Sequence, residues 1–268
     1  MEQQVGREEE QVAALLVATA GTMLESQGTG APKAFAEALF GLSVPEDVVR
    51  YDAREVAALA EAAWGFLAER KAGAPKIRLE SSAVAGEHLR SISVLEIIND
   101  DMPFLVDSVL GDLAERGVEV LLVAHPVISV TRDAAGRLTS FGGTSNGAAR
   151  RESVIHIHIG RIDDEARRAE IVQGIAQVLA DVRVSVHDWR AMIERIEQVI
   201  GGLKSNPPPL PPEEVAEATA FLEWLVANNF TLLGVRNYVF TPNQDALEPR
   251  FETGLGLDRK STRLNSSH

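Results

Sequence analysis

The sequence predicts an α+β chain built around a β-α-β-β-α-β module, on three observations. Residues 153–159 (SVIHIHI) alternate strictly, with Ile155, Ile157 and Ile159 facing one way and Val154, His156 and His158 the other, as a strand does. Residues 93–126 read as strand, sharp polar turn, helix and strand. From Asp163 a second helical stripe follows, Ile171, Val172, Ile175, Val178 and Leu179, and then a short β-branched run at 182–186 that reads as a fourth strand. Across 93–187 this is the split βαβ, ferredoxin-like arrangement: an antiparallel sheet with two helices on one face, flanked by helical segments. One sheet face is left bare, which invites cover by another domain or subunit.

The stretch from 93 to 126 organises the rest. The first strand is expected over 94–98 and the turn at Asn99-Asp100-Asp101-Met102-Pro103. The helix runs from 103 to 116, because Val106, Val109, Leu110 and Leu113 fall at i, i+3, i+4 and i+7. Pro103 sits in the first turn, where its missing N–H is not needed. Asp100 and Asp101 are placed to cap the free N–H groups, and Gly117 to close the helix in the left-handed conformation. A strand then leads from Val118 to His125-Pro126 and continues over 127–131. A turn at 132–137 and a return strand at 138–141 make a small hairpin, followed by a Gly/Ser/Asn/Ala loop at 142–150, expected to be mobile.

Residues 1–88 read as a mostly helical region. A frayed first helix carries Val12, Leu15, Leu16 and Met23, a second spans 33–42, and Pro45-Glu46-Asp47 opens a short third. Asp52 caps a longer helix from Ala53 to Lys71 with Val56, Leu59, Ala63 and Leu67 on one face and Trp64 beside them; residues 76–80 then form a short strand. The module itself is placed at 89–189. Beyond it, 190–229 is a helical connector: a helix over 190–200 ended by Gly201-Gly202, a stiff Pro-rich linker at 206–212, and a helix opened by Pro212. Trp189 and Trp224 anchor a core or an interface on the apolar faces of these helices. Residues 230–257 begin a further domain with a strand over 230–240.

Composition excludes several classes. With 45% hydrophobic and 24% charged residues the 268-residue chain can bury a core. A net charge of −13 argues against a nucleic-acid surface, and no apolar run is long enough for a membrane span. The absence of cysteine removes disulfides, thiolate metal sites and a Cys nucleophile, and suits a reducing cytoplasm.

The candidate functional residues gather at the first turn: Asn99, Asp100, Asp101, Met102, Pro103 and Phe104, with Asp107 in the following helix and His125 at the end of the second strand. Asp100 and Asp101 can take an amino group while the helix N–H groups take a carboxylate; the competing reading is helix capping with an interface contact. His156 and His158, spaced i, i+2 on one sheet face, suit a partner interface better than a metal, since no third ligand is evident. Gly254-Leu255-Gly256 is the nearest approach to a dinucleotide loop and lacks the third glycine. The prolines at 207–212 can serve an aromatic groove, but a spacer between helices fits them better.

The segment Asn99-Asp100-Asp101-Met102-Pro103-Phe104-Leu105-Val106-Asp107-Ser108 resembles the N-terminal region of the large bacterial NAD-specific glutamate dehydrogenases. Further blocks resemble it in the same order: Pro45-Glu46-Asp47, His125-Pro126 with Arg132-Asp133-Ala134-Ala135-Gly136, Glu152-Ser153, and Asp181-Val182-Arg183 with Val186-His187-Asp188-Trp189. Downstream, Phe221-Leu222, Trp224-Leu225 and residues 230–238 continue the likeness. The resemblance implies a multidomain, oligomeric enzyme that oxidises L-glutamate to 2-oxoglutarate and ammonia with NAD. The ACT-type N-terminal module would be regulatory or architectural, with NAD and the catalytic residues in domains downstream of this chain, so the chain alone would be inactive. An alternative is a free-standing ACT-type amino-acid-sensing module. One departure matters: amino-acid-binding ACT domains usually carry Gly after the Pro of this turn, and here that place is Phe104. Finally, residues 258–268 (DRKSTRLNSSH) are identical to the in-frame translation of a common sequencing adapter, so native sequence is expected to end at Leu257 and the tail to pack against nothing.

Overall fold

Strands β2 (Ile92–Asp100) and β6 (Arg150–Gly160) pair antiparallel from Ile92↔Gly160 to Asp100↔Glu152 and form the centre of the sheet. Both carry alternating Ile, Val and Leu, so each presents one apolar row to either face. β1 (Lys76–Ser81) pairs with the free side of β2. On the other side of β6 lie β3 (Val120–Ala124), opposite its last residues, and β4 (Val127–Arg132), opposite its first. His125-Pro126 separates these two halves of one path, as expected where Pro removes a ladder donor. β5 (Leu138–Phe141) folds back on β4 to complete the order β1-β2-β6-β4-β5, with β3 also on β6. The computed structural model describes residues 2–28, 30–81, 86, 88–142, 149–241 and 246–259. The loop at 143–148 and residues 260–268 lie outside them.

The sheet face expected to be bare is covered by the chain's own N-terminus. α1 (Glu2–Ser26), α2 (Ala34–Phe40), α3 (Pro45–Val48) and α4 (Ala53–Leu67) share one core with Val94, Ile98, Leu122, Ala124, Ile128, Val130 and Val154. Asp52 starts α4 with a reciprocal capping box: its carboxylate accepts from Glu55 N at 2.8 Å, and Glu55 accepts from Asp52 N at 3.0 Å. The opposite rows, Leu95 and Ile97 with Ile155, Ile157 and Ile159, are fully buried, as are the inner stripes of α5 (Leu105–Glu115) and the start of α6. The strand alternation assigns these helices to that second face, with Arg116, just after α5, bonded to Glu170 of α6 at 3.0 Å.

The fourth strand expected at 182–186 does not form. α6 runs unbroken from Glu165 to Ser205, through that segment and past Gly201-Gly202, which were expected to end a separate helix. No Pro, Gly or Asn lies between Ile175 and Ile200 to turn the chain back onto the sheet. The place beside β2 that a fourth strand would take is already held by β1. Five of the six expected elements thus form, and the closing strand comes from before the module rather than after it.

The chain divides into two compact units, Met1–Leu179 and Ala180–His268. In the second, α7 (Pro212–Trp224) opens at Pro212 with Glu213 and Glu214 in its first turn, and β7 (Gly234–Thr241) pairs antiparallel with β8 (Ala246–Gly256). Gly254-Leu255-Gly256 therefore lies in a strand. A Cβ on Gly256 would meet the Leu233 carbonyl at 2.3 Å, so the glycine serves close chain packing. The first two residues of the adapter-like tail do make contacts, against expectation. Arg236 donates to the Asp258 carbonyl at 2.8 Å, and Arg259 pairs with the buried carboxylate of Asp188. Burial opposes ionisation of Asp188, yet His187, the Gly256 amide and Arg259 together hold its pKa below the ordinary value.

Candidate functional site

The candidate turn joins β2 to α5. The helix starts at Leu105 rather than at 103, and neither Asp100 nor Asp101 caps it: the cap position is Phe104, which carries no side-chain cap bond. Val109 and Leu113 of the expected stripe are buried, together with Leu105, while Val106 and Leu110 are half-buried. Phe104 takes φ 70° and ψ 3°, the left-handed conformation that a glycine would adopt freely, and the residue is 47% exposed. The backbone of the turn is thus of the glycine type although the residue is not. We expect Phe104→Gly to be more stable than Phe104→Ala by about 1 kcal/mol, the reverse of the usual Ala-over-Gly order, in denaturant titrations.

The turn residues point to opposite faces. Asn99 is buried on the α5 side beside Ser153, its partner across β2–β6. His125 bonds Ser153 through Nε2 and Oγ at 2.8 Å. Partial desolvation lowers the His125 pKa, against the pull of the Asp101 and Asp107 carboxylates near it. Asn99, Asp101, Asp107 and His125 therefore gather around the start of α5, with Met102 and Pro103 completing the loop. Asp101 is engaged on the sheet, its carboxylate 3.0 Å from Arg151 and its N–H on the Arg151 carbonyl.

Asp100 leaves this group. It points under α4, where Arg70 donates to it at 2.6 Å and to Glu152 at 3.0 Å. Arg132 grips the same Glu152 with two bonds of 2.8 Å. Arg70 and Glu152 are almost fully buried, and both arginines also reach backbone carbonyls, of Ala74, Gly136 and Leu67. Sequence reasoning missed Arg70, Arg132 and Glu152 because their pairing joins positions up to 82 residues apart.

His156 and His158 are not on an open face. Both are buried beneath the N-terminal helices and bond each other, Nε2 to Nε2, at 2.9 Å. His158 Nδ1 contacts the Tyr51 hydroxyl at 2.7 Å, and His156 Nδ1 lies 3.4 Å from Glu96. Glu96 in turn accepts from Arg78 at 2.8 Å. Arg78, Glu96 and His156 are direct neighbours in one row across β1, β2 and β6. The interface expected from the i, i+2 spacing is an internal one, with helices of the same chain. Among the described residues no group of three or more His, Asp or Glu is placed to hold a metal ion, and no helix is long and apolar enough to cross a membrane.

Residues 35–175 match the family defined as glutamate dehydrogenase, ACT1 domain. The span takes in α2 to the first part of α6, including the turn and both buried polar clusters. Three curated NAD-specific glutamate dehydrogenases are similar to this chain. That of Pseudomonas aeruginosa is 28% identical over 84% of the chain, that of Halomonas elongata 31% over 77%, and that of Mycobacterium tuberculosis 26% over 69%. The aligned part is 14%, 13% and 12% of those proteins, so the chain spans about one seventh of their length. On this match across more than half its residues, the chain belongs to the glutamate dehydrogenase ACT1-domain family.

Proposed function

We propose that this chain is the N-terminal part of a large NAD-dependent glutamate dehydrogenase and supplies its first ACT-type module. The match over residues 35–175 carries this reading. The parent enzyme would oxidise L-glutamate to 2-oxoglutarate and ammonia in the cytoplasm, with NAD accepting the hydride in domains beyond this chain. The module is a variant of the ferredoxin-like plan in which β1 replaces the missing last strand.

Its role is architectural. An amino-acid effector at the β2–α5 turn needs a carboxylate for its ammonium group, and Asp100 and Asp101 are already ion-paired with Arg70 and Arg151. Phe104 adds a bulky side chain at the place where a Gly would let the turn's backbone approach the ligand. The partners in this reading are later domains of the same chain and further copies in a homo-oligomer. Exposed apolar residues of the second unit, Phe221, Trp224, Phe230, Tyr238 and Phe240, suit such contacts.

The purified chain, freed of host enzyme, should form no NADH from glutamate and NAD, whereas the full-length gene product should. Activity in the chain alone would overturn the reading. A panel of amino acids should leave the melting temperature unchanged. A saturable rise with one of them, lost in Asp101→Ala, would shift the assignment to the alternative, an amino-acid-sensing module.

A further inference from the structure

The long helix α6 carries an apolar row with the period of a coiled-coil seam. From Val172 to Leu203 apolar residues recur at alternating spacings of three and four without a miss. Within the first unit the row is used in the fold: Ile175 and Leu179 are fully buried. In the second unit it continues as Val186, Trp189, Ile193, Ile196, Ile200 and Leu203. Of these six, Ile200 is buried, Trp189 is 45% exposed and the other four are half-buried.

The chain's own contacts to this stretch fall on a neighbouring row of the helix. Ser185 bonds the Leu233 carbonyl, Asp188 bonds the Gly256 amide, and Met192, on the same side, is fully buried. Among the described residues the middle of the seam, around Trp189 and Ile193, is therefore left open for another surface.

The other flank of the seam names that surface. Arg183, Arg190, Glu197 and Lys204 line it at intervals of seven. Arg190 and Glu197, in the middle, are both exposed. A second copy of this row, turned end for end, brings its Glu197 beside Arg190, and the two-fold symmetry makes the pair occur twice. A parallel copy in register would set Arg190 against Ser185 and Glu197 against Met192, and no ion pair would form.

We propose that α6 is a self-association helix whose open row packs antiparallel on the same row of a second copy of this chain. The two-fold axis crosses the helices between Glu194 and Arg195. This register sets Ile193 on Ile196 of the second copy and Trp189 on its Ile200, in the knobs-into-holes manner of a helix pair. A like-charged approach, Arg183 to Lys204 of the second copy, falls at the ends of the row, where Lys204 is already paired with Glu223. Val186 to Leu203 spans only about 26 Å of helix, so the contact belongs to the weak class, with a dissociation constant on the order of 10 μM. The inference deepens the homo-oligomer of the proposed function, and its test needs no catalysis, so it fails or stands apart from the dehydrogenase reading.

The test uses the whole chain. Sedimentation equilibrium from about 1 to about 300 μM should show a monomer–dimer equilibrium. Arg190→Glu and Glu197→Arg should each raise the dissociation constant about tenfold or more, because each creates two like-charged pairs. The double variant should return it to within about threefold of the original. Orientation is read from spin labels, since the chain has no cysteine of its own. Glu194→Cys and Gly201→Cys each place a label on an exposed site of one helix face, and a Cβ at Gly201 meets nothing within 4 Å. In the antiparallel pair the two labels at 201 lie about 20 Å apart along the helices, and those at 194 almost level. Equal separations at the two sites would mean a parallel pair and overturn the proposal. A monomer across the whole range would overturn it too. So would a dimer that survives both charge reversals but is lost in Phe221→Ala, which would place the contact on α7.

Discussion

Glu152→Ala is expected to cost about 3–5 kcal/mol of folding stability, the largest effect of any single side-chain truncation in the polar interior. Glu152 is shared by Arg70 and Arg132, accepting from the first at 3.0 Å and from the second at 2.8 Å twice. Removing it leaves the buried Arg70 with Asp100, which is itself partly exposed, and takes from Arg132 both bonds to Glu152. The bonds to the Ala74, Gly136 and Leu67 carbonyls satisfy some N–H groups but neutralise no charge. Urea titration of the variant checks the loss. A change below about 1 kcal/mol would mean that the guanidinium groups reach solvent in the folded chain.

Val184→Pro is expected to cost about 3 kcal/mol or more. Val184 lies inside α6, where Pro removes an N–H and its ring clashes with the preceding turn. The damage also reaches two contacts that seat later residues on this stretch. Ser185 donates to the Leu233 carbonyl at 3.3 Å, and Asp188 accepts the Gly256 amide at 2.8 Å. Circular dichroism should show lost helix, and amide exchange should accelerate through residues 184–188. If the segment were an edge strand instead, Pro at an outward N–H would be tolerated and neither signal would move.

Much of the first unit was legible in the sequence because its patterns are local. The Asp52 cap, the Gly117 terminus at φ 68° and the alternation of 153–159 all depend on near neighbours. The missing strand at 182–186 shows the limit. Val182, Val184 and Val186 alternate as a strand would, but the flanking helix has no breaker and the open sheet edge is filled by β1, a fact no local window contains. The site was read in part for the same reason. The positions of Asn99, Asp101, Asp107 and His125 around one helix start follow from element order. The roles of Asp100, His156 and His158 depend on Arg70, Glu96 and Tyr51, which only the tertiary pairing supplies. A local clue was present: Glu96 and the two histidines alternate in phase with Val94, Ile98 and Val154, so they occupy inward positions.

The position of β6 has a consequence for synthesis on the ribosome. It pairs with β2, β3 and β4, yet it is made after all of them. Until residue 160 has left the exit tunnel, β2 presents a long unpaired apolar edge, and the nascent chain depends on the α1–α4 layer to shield it. Chains stopped between Phe141 and Gly160 should therefore aggregate or be degraded, whereas chains stopped after α6 has covered the second face should not.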